Sequence, residues 1–134
     1  YIGITMAPGP ASARHYIARI QGGPVYIGIF IDKCHDIGRT EDIHFKAAWY
    51  ADLTAYNSNQ IVDTIIHWSG LYGVSFMVGD TDWEFMFNTF AWGYAIGYQF
   101  VETETGSPNG NFLGISSDAN TNASIQVDST KAWG

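Results

Sequence analysis

Apolar residues in this chain recur mostly at every second position, in short runs separated by turn-forming residues. YIGITM (1–6), RHYIARI (14–20) and VYIGIFID (25–32) are rich in β-branched and aromatic side chains and predict strands. APGPASA breaks the first run, because its two prolines fix their own backbone angle and constrain the residue before each. QGGP between the second and third runs predicts a hairpin. The near-continuous apolarity of VYIGIFI predicts a central strand covered on both faces.

In IHFKAAWYADL (43–53) the residues Ile43, Phe45, Ala47, Trp49, Ala51 and Leu53 alternate, so a strand is expected there. NSNQIVDTIIHWSG is the one clear helix: Asn57 or Ser58 caps its start, Gly70 closes its end, and Ile61, Ile65 and Trp68 form a stripe to be buried. After it come LYGVSFMV, DWEFMFNTF and AWGYAIGYQFVET, then a last hairpin of FLGISS and ASIQVDS. Their short connections imply antiparallel neighbours. No fixed-period repeat is apparent in this pattern.

The expected fold is therefore α+β, a mainly antiparallel sheet of five to eight strands with one principal helix near residues 58–69 packed on one face. AWGYAIGYQF (91–100) adds a packing detail. Its small residues Gly93, Ala95 and Gly97 are expected under the apolar stripe of the helix. Its large residues Trp92, Tyr94 and Tyr98 are then expected to face outward.

The length of 134 residues fits a single domain over 1–134, with a C-terminal remainder or a partner chain left open. Only 14% of residues are charged against 46% hydrophobic, which excludes a disordered chain. A formal charge of −7, with the six basic residues scattered, argues against nucleic acid and anionic membranes as partners. No apolar run reaches the roughly 20 residues of a spanning helix, so no transmembrane span is expected. Low charge, few lysines and abundant Gly, Asn, Ser, Thr and aromatics point to a secreted, extracellular protein, and a first residue Tyr1 fits either a cleaved mature product or a trimmed chain.

Several clusters bear on chemistry. Asp80, Asp82 and Glu84 offer carboxylates around one turn, able to bind a metal or to split their pKa values as acid and base. Asp118, Asn120 and Asn122 place oxygen ligands at alternate positions, as the first half of a calcium loop does, so they are candidate calcium ligands although no cofactor is predicted. That pattern fails where Ala123 replaces the needed glycine. The lone Cys34 precedes His35 and Asp36, but neighbours on an extended chain point apart, so an inert buried thiol is expected.

Glu102-Thr103-Glu104 at a strand end resembles the Glu-x-Glu of arginine-directed mono-ADP-ribosyltransferases. The resemblance implies that one glutamate orients the nicotinamide ribose, the other helps activate the acceptor, and Arg14 or Arg19 upstream contacts the phosphates. The family's Ser-Thr-Ser strand has no counterpart except the poor match Trp68-Ser69-Gly70.

Five Trp, eight Tyr and eight Phe are the most informative chemical feature, because rings beside Asp, Asn and Gln make sugar sites. The expected function is a secreted, acidic, aromatic-rich binding protein at a cell surface or wall, lectin-like or a small toxin. Trp83, Trp92, Tyr94, Tyr98, Asp80 and Asp82 are its expected contacts with glycan. The alternatives are an enzyme of mono-ADP-ribosyltransferase type using Glu102, Glu104 and Arg19, and a structural subunit pairing with another protein chain. The residues favour binding over catalysis.

Overall fold

The computed structural model describes residues 2–6, 14–52, 59–129 and 131. Nine strands are present: β1 (Ile2–Met6), β2 (His15–Gly22), β3 (Ile27–Ile31), β4 (Gly38–Lys46), β5 (Val74–Val78), β6 (Glu84–Trp92), β7 (Ile96–Val101), β8 (Gly110–Asp118) and β9 (Ala123–Asp128). Between β4 and β5 the chain makes a 3-10 turn over Ala47–Asp52 and the helix α1 (Asn59–Tyr72).

Odd strands form one sheet in the order β1-β3-β5-β7-β9, and even strands form a second in the order β2-β4-β6-β8. Every pairing between them is parallel. The chain thus crosses from one sheet to the other and returns one strand further along, which is a parallel β-solenoid. This corrects the expected antiparallel sheet. Parallel neighbours need a long crossover, and here the crossover is a strand of the facing sheet. QGGP, read as a hairpin, instead carries the chain from β2 in one sheet to β3 in the other.

The coils repeat after all, in position rather than in period. IGITM, IGIFI, VSFMV, IGYQF and ASIQV, the first five residues of each odd strand, all read apolar, small, apolar, any, apolar. Registers align them, as in Ile29 with Phe76, Tyr98 with Phe76 and Ile125 with Tyr98. The second position is small because of the ladder. A Cβ on Gly3 would stand 2.7 Å from the Gly28 carbonyl oxygen, and one on Gly97 would stand 2.6 Å from that of Ser124.

Even strands share a different mark. Arg19, Asp42, Asn88 and Gly114 hold φ of 55°, 54°, 48° and 64° at equivalent places, and the pairing register skips all four. Each is a local bulge in the left-handed region, where Asn, Asp and Gly are best tolerated. Asn88 Nδ2 donates to Asp42 Oδ1 at 2.7 Å, linking the bulges of adjacent coils.

Both sheets contribute to one core that includes Ile29, Ile31, Ile43, Phe45, Phe76, Met86, Tyr94 and Tyr98. Phe76 stacks on Tyr98 at 4.8 Å and 6°, and on Phe45 at 5.1 Å. Full burial of such a ring contributes roughly 2–3 kcal/mol. The Tyr98 hydroxyl donates to Ser116 O at 3.1 Å and meets Thr89 Oγ1 at 2.9 Å. Burial pushes its pKa up to about 12, so it stays a neutral donor.

The helix lies where the pattern places it, but it faces otherwise. Ile61 is 53% and Trp68 38% exposed, while Val62, Ser69 and Gly70 are buried. Helix α1 continues through Gly70 to Tyr72. Its last turns are fastened by Ser69 Oγ donating to Val25 O at 3.0 Å, by Ala95 N donating to Ser69 O at 3.0 Å, and by Thr121 donating to Gly70 O. Gly93 and Ala95 do approach the helix, but Gly97 packs on Ser117 and Ser124 of the solenoid itself.

Candidate functional site

The segment AWGYAIGYQF is a corner rather than one strand: β6 ends at Trp92, residues 93–95 bend, and β7 begins at Ile96. Tyr94 and Tyr98 have no exposed surface, which corrects their expected outward position. The bend turns Tyr94 into the core, while Trp92 remains half-buried on the outside, with Lys46 Nζ 5.6 Å from its ring centre.

The three carboxylates of the 80–84 turn diverge. Asp80 Oδ2 lies 3.0 Å from His35 Nε2, Asp82 is exposed, and Glu84 points inward and is wholly buried. Asp32 Oδ1 accepts from Asp80 N at 2.9 Å and from Thr103 Oγ1 at 3.0 Å, which uses it to tie three successive corners together. Asp118 Oδ1 accepts from Ala119 N at 2.7 Å, Asn120 Nδ2 donates to Tyr94 O at 3.2 Å, and Asn122 Nδ2 donates to Gln126 Oε1 at 3.3 Å. These side chains are bonded to their own turn, to the preceding corner and to β9 respectively, and do not converge on a cation. Among the described residues no group of three or more His, Cys, Asp and Glu side chains is placed to hold a metal.

Glu102 forms an ion pair with Lys131 at 2.8 Å, which holds the lysine pKa above its usual value, and Glu104 is exposed. Both lie on the turn that leads to β8, one edge of the even sheet, whereas Arg19 is exposed on β2, the other edge. Three strand spacings, about 14 Å, separate those edges. Arg14 is committed to Asp36 at 2.9 Å, an exposed pair that lowers the carboxyl pKa.

Cys34 does not meet the acid beside it in sequence. It is buried, its thiol donates to Asp32 O at 3.4 Å, and its sulfur lies beside the imidazole of His15. His15 Nε2 in turn stands 3.0 Å from Glu84 Oε2, with both side chains 1% exposed or less. The approach is close without hydrogen-bond alignment, so attraction of charges holds it. Burial alone would lower the His15 pKa; the Cys34 sulfur and the Glu84 carboxylate outweigh it and raise the value to about 9. A thiol, an imidazole and a carboxylate in this order have the composition of a nucleophile site. The space around them is filled, however: a Cβ on Gly38, which lies between them in register, would collide with Glu84 Oε2 and with His15 Cε1, and would stand 2.9 Å from His15 Nδ1. This is an interior ion pair.

The outer face of the even sheet is different. Along β6 and the residue before it, Trp83, Phe85, Phe87, Phe90 and Trp92 all lie on the outside, with Glu84, Met86, Thr89 and Ala91 buried behind them. The bulge at Asn88 keeps Phe90 and Trp92 on the same side after a shift of three positions. Ring centres are 6.5 Å apart from Trp83 to Phe85 and 5.8 Å from Phe85 to Phe87. Phe90 is held edge-on by His44 at 5.0 Å, and His44 rests on Trp49 at 4.8 Å.

Polar side chains, with the exception of Leu113, flank this stripe by register. Arg39, Glu41, His44 and Lys46 of β4 stand beside Phe85, Phe87, Phe90 and Trp92, and Asn111, Leu113, Ser116 and Asp118 of β8 stand on the other side. Tyr16 of β2 extends the first row and donates to Glu41, which holds the phenol pKa up. Arg14, Tyr16, Ile37 and Arg39 line an open groove of about 660 Å³ beside the stripe. Arg39 is exposed and has no ion pair among the described residues.

Of the expected contact residues, Trp83 and Trp92 thus belong to one surface, exposed Asp82 directly precedes Trp83, Asp80 is paired with His35, and Tyr94 and Tyr98 are buried. Phe85, Phe87, Phe90, Arg39 and Asn111 were missed. The alternation of large rings from 83 to 87 is the signal in the sequence that could have found them. Comparison of the chain with protein-family models, with curated proteins and with solved structures gives no match.

Proposed function

We propose that this protein is a secreted, non-enzymatic binding protein that acts at a cell surface or cell wall and holds an extended glycan along the aromatic stripe of β6. The observation that carries this reading is the line of five outward rings from Trp83 to Trp92, flanked on both sides by polar side chains. From Trp83 to Trp92 the backbone advances about 30 Å, enough for several consecutive sugar rings. Ring faces take the C–H faces of sugars, and short polar side chains take their hydroxyls. Parallel pairing holds the platform rigid, so little ordering is required of the protein on binding.

Retardation in gels containing soluble polysaccharides, followed by calorimetry on any that bind, tests the proposal. Trp83→Ala and Phe87→Ala are each expected to weaken binding about tenfold, while Ile61→Ala on α1 leaves it unchanged. If no polysaccharide retards the protein, or if the double variant binds as the natural chain does, glycan binding on this face is wrong.

A further inference from the structure

Helix α1 does not seal against the corners it crosses. Between its last two turns and the corners that follow β6 and β8 lies a cavity of about 310 Å³, with Ile66, His67 and Leu71 on the helix wall and Trp92, Ala119 and Thr121 on the solenoid wall. Hydrogen bonds set the spacing of the two walls. The Thr121 hydroxyl donates to Gly70 O, and Ala95 N donates to Ser69 O at 3.0 Å. Gly70, which also lines the space, has no side chain to fill it.

The corners bring main-chain donors to this place, but the fold itself uses them. Gly93 N donates to Asp118 O at 3.1 Å, Ala119 N to Asp118 Oδ1 at 2.7 Å, and Thr121 N to Tyr94 O at 3.3 Å. The cavity is reached from solvent, since His67 is exposed and Leu71 is 52% exposed. Water held against such walls finds few partners, so exchanging it for an apolar group is favourable.

We propose that this cavity is a binding site for an uncharged aromatic molecule of one or two fused rings. Three observations select that class. The volume stands at the lower limit of small-molecule pockets, which suits a ring system and little more. Each wall carries one flat ring, Trp92 on the solenoid and His67 on the helix, and such rings favour a third ring stacked on them or set edge-on. Among the described residues no Asp, Glu, Lys or Arg lines the cavity, and Lys46 already attends the Trp92 ring at 5.6 Å, so a charged ligand loses its hydration there without gaining a partner. Trp92 is also the last ring of the β6 stripe, but the site does not depend on glycan binding along it.

NMR titration of the full ¹⁵N-labelled chain with indole tests this. Saturable shifts are expected at the amides of Gly70, Gly93 and Thr121, with a Kd of about 1 mM or below. Leu71→Asp sets a charge at the exposed edge of the cavity and is expected to weaken binding about tenfold or more; its amide spectrum checks that it folds. Tyr72→Ser, one residue on and outside the lining, is expected to leave binding unchanged. Phenol is expected to bind about threefold or more tighter than cyclohexanol, which matches its size without an aromatic face. The proposal is overturned if indole does not saturate the chain within its solubility, if the shifts centre on Tyr26, Trp68 and Tyr72, or if Tyr72→Ser abolishes binding. It is overturned equally if Leu71→Asp binds as the natural chain does, or if cyclohexanol binds as tightly as phenol.

Discussion

His15 and Glu84 belong to strands that are not neighbours, and they meet at 3.0 Å because the strand between them contributes only Gly38 at that row. An interior ion pair is costly to desolvate, and breaking one by removing a partner costs more than the pair contributes. Glu84→Gln is expected to destabilise the fold by about 3–5 kcal/mol in urea unfolding. His15→Gln with Glu84→Gln together should recover much of that loss, since neither leaves a lone charge.

The same pair sets a pH dependence. The folded-state pKa of His15, about 9, lies above the unfolded value of 6.5, so the folded chain binds the extra proton. Its contribution is full below pH 6.5 and is lost as pH rises through 9. On the order of 3 kcal/mol should disappear across that window. Urea midpoints at pH 6.0 and 9.5 measure it, and a His15→Gln chain with an equal fall between those pH values would refute the assignment.

Gly38 leaves no room for a side chain, because both neighbours at its Cβ position are fixed in the interior. Gly38→Ala should lower stability by up to about 3 kcal/mol through overpacking. Gly22→Ala is the contrast. Its Cβ would meet only Phe45, at 3.9 Å, an ordinary contact. Thermal unfolding of the two variants side by side should separate them clearly.

The bulge of β6 makes a backbone prediction. Asn88 sits at φ 48° and bonds Asp42. Asn88→Val should cost about 1–3 kcal/mol, because a β-branched residue is strained there. Asn88→Gly relieves the angle while losing the bond, so it should fall between the two in urea melts.

Cys34 is 2% exposed and enclosed by the first corners of the solenoid. A maleimide should modify it only at the rate at which the chain opens, and promptly in urea. Mass spectrometry over time reads this. Rapid labelling of the native chain would mean that the His15 cluster is accessible and that its reading as an interior pair is wrong.

Much of the fold is legible at the level of single elements. Most runs of alternating apolar residues fall on strands, but the strand expected over 43–53 stops at Lys46 and gives way to the 3-10 turn Ala47–Asp52, with Leu53 and the expected caps Asn57 and Ser58 outside the described residues; the helix begins within a few residues of its predicted start. Pairing was not legible, for a physical reason. A short polar connection marks a reversal in a hairpin and a change of sheet in a solenoid, and QGGP reads the same in both. The continuous apolarity of Ile27 to Ile31 was the better clue, since strands of parallel sheets are covered on both faces.

The coil repeat was hidden because only residue class recurs, and because 47–72 separates β4 from β5 and lengthens one coil. The aromatic stripe was only partly legible: the sequence analysis names Trp83 and Trp92, but not Phe85, Phe87 and Phe90, whose outward side is fixed by what lies behind them, including the acid Glu84 that finds His15 in the interior.

The passage from Lys46 to Val74 leaves the ladder without disturbing it, for Ile27 still pairs Val74 and Gly38 still pairs Glu84 on either side of it. That corner therefore behaves as a socket. The stack specifies where the chain must leave and re-enter, and it grips what hangs between chiefly at the returning end, through Ser69 and Gly70. Strand length sets how far the aromatic stripe runs and coil count sets how many rows flank it, while this corner carries its own insertion, so the stripe and the insertion can change independently.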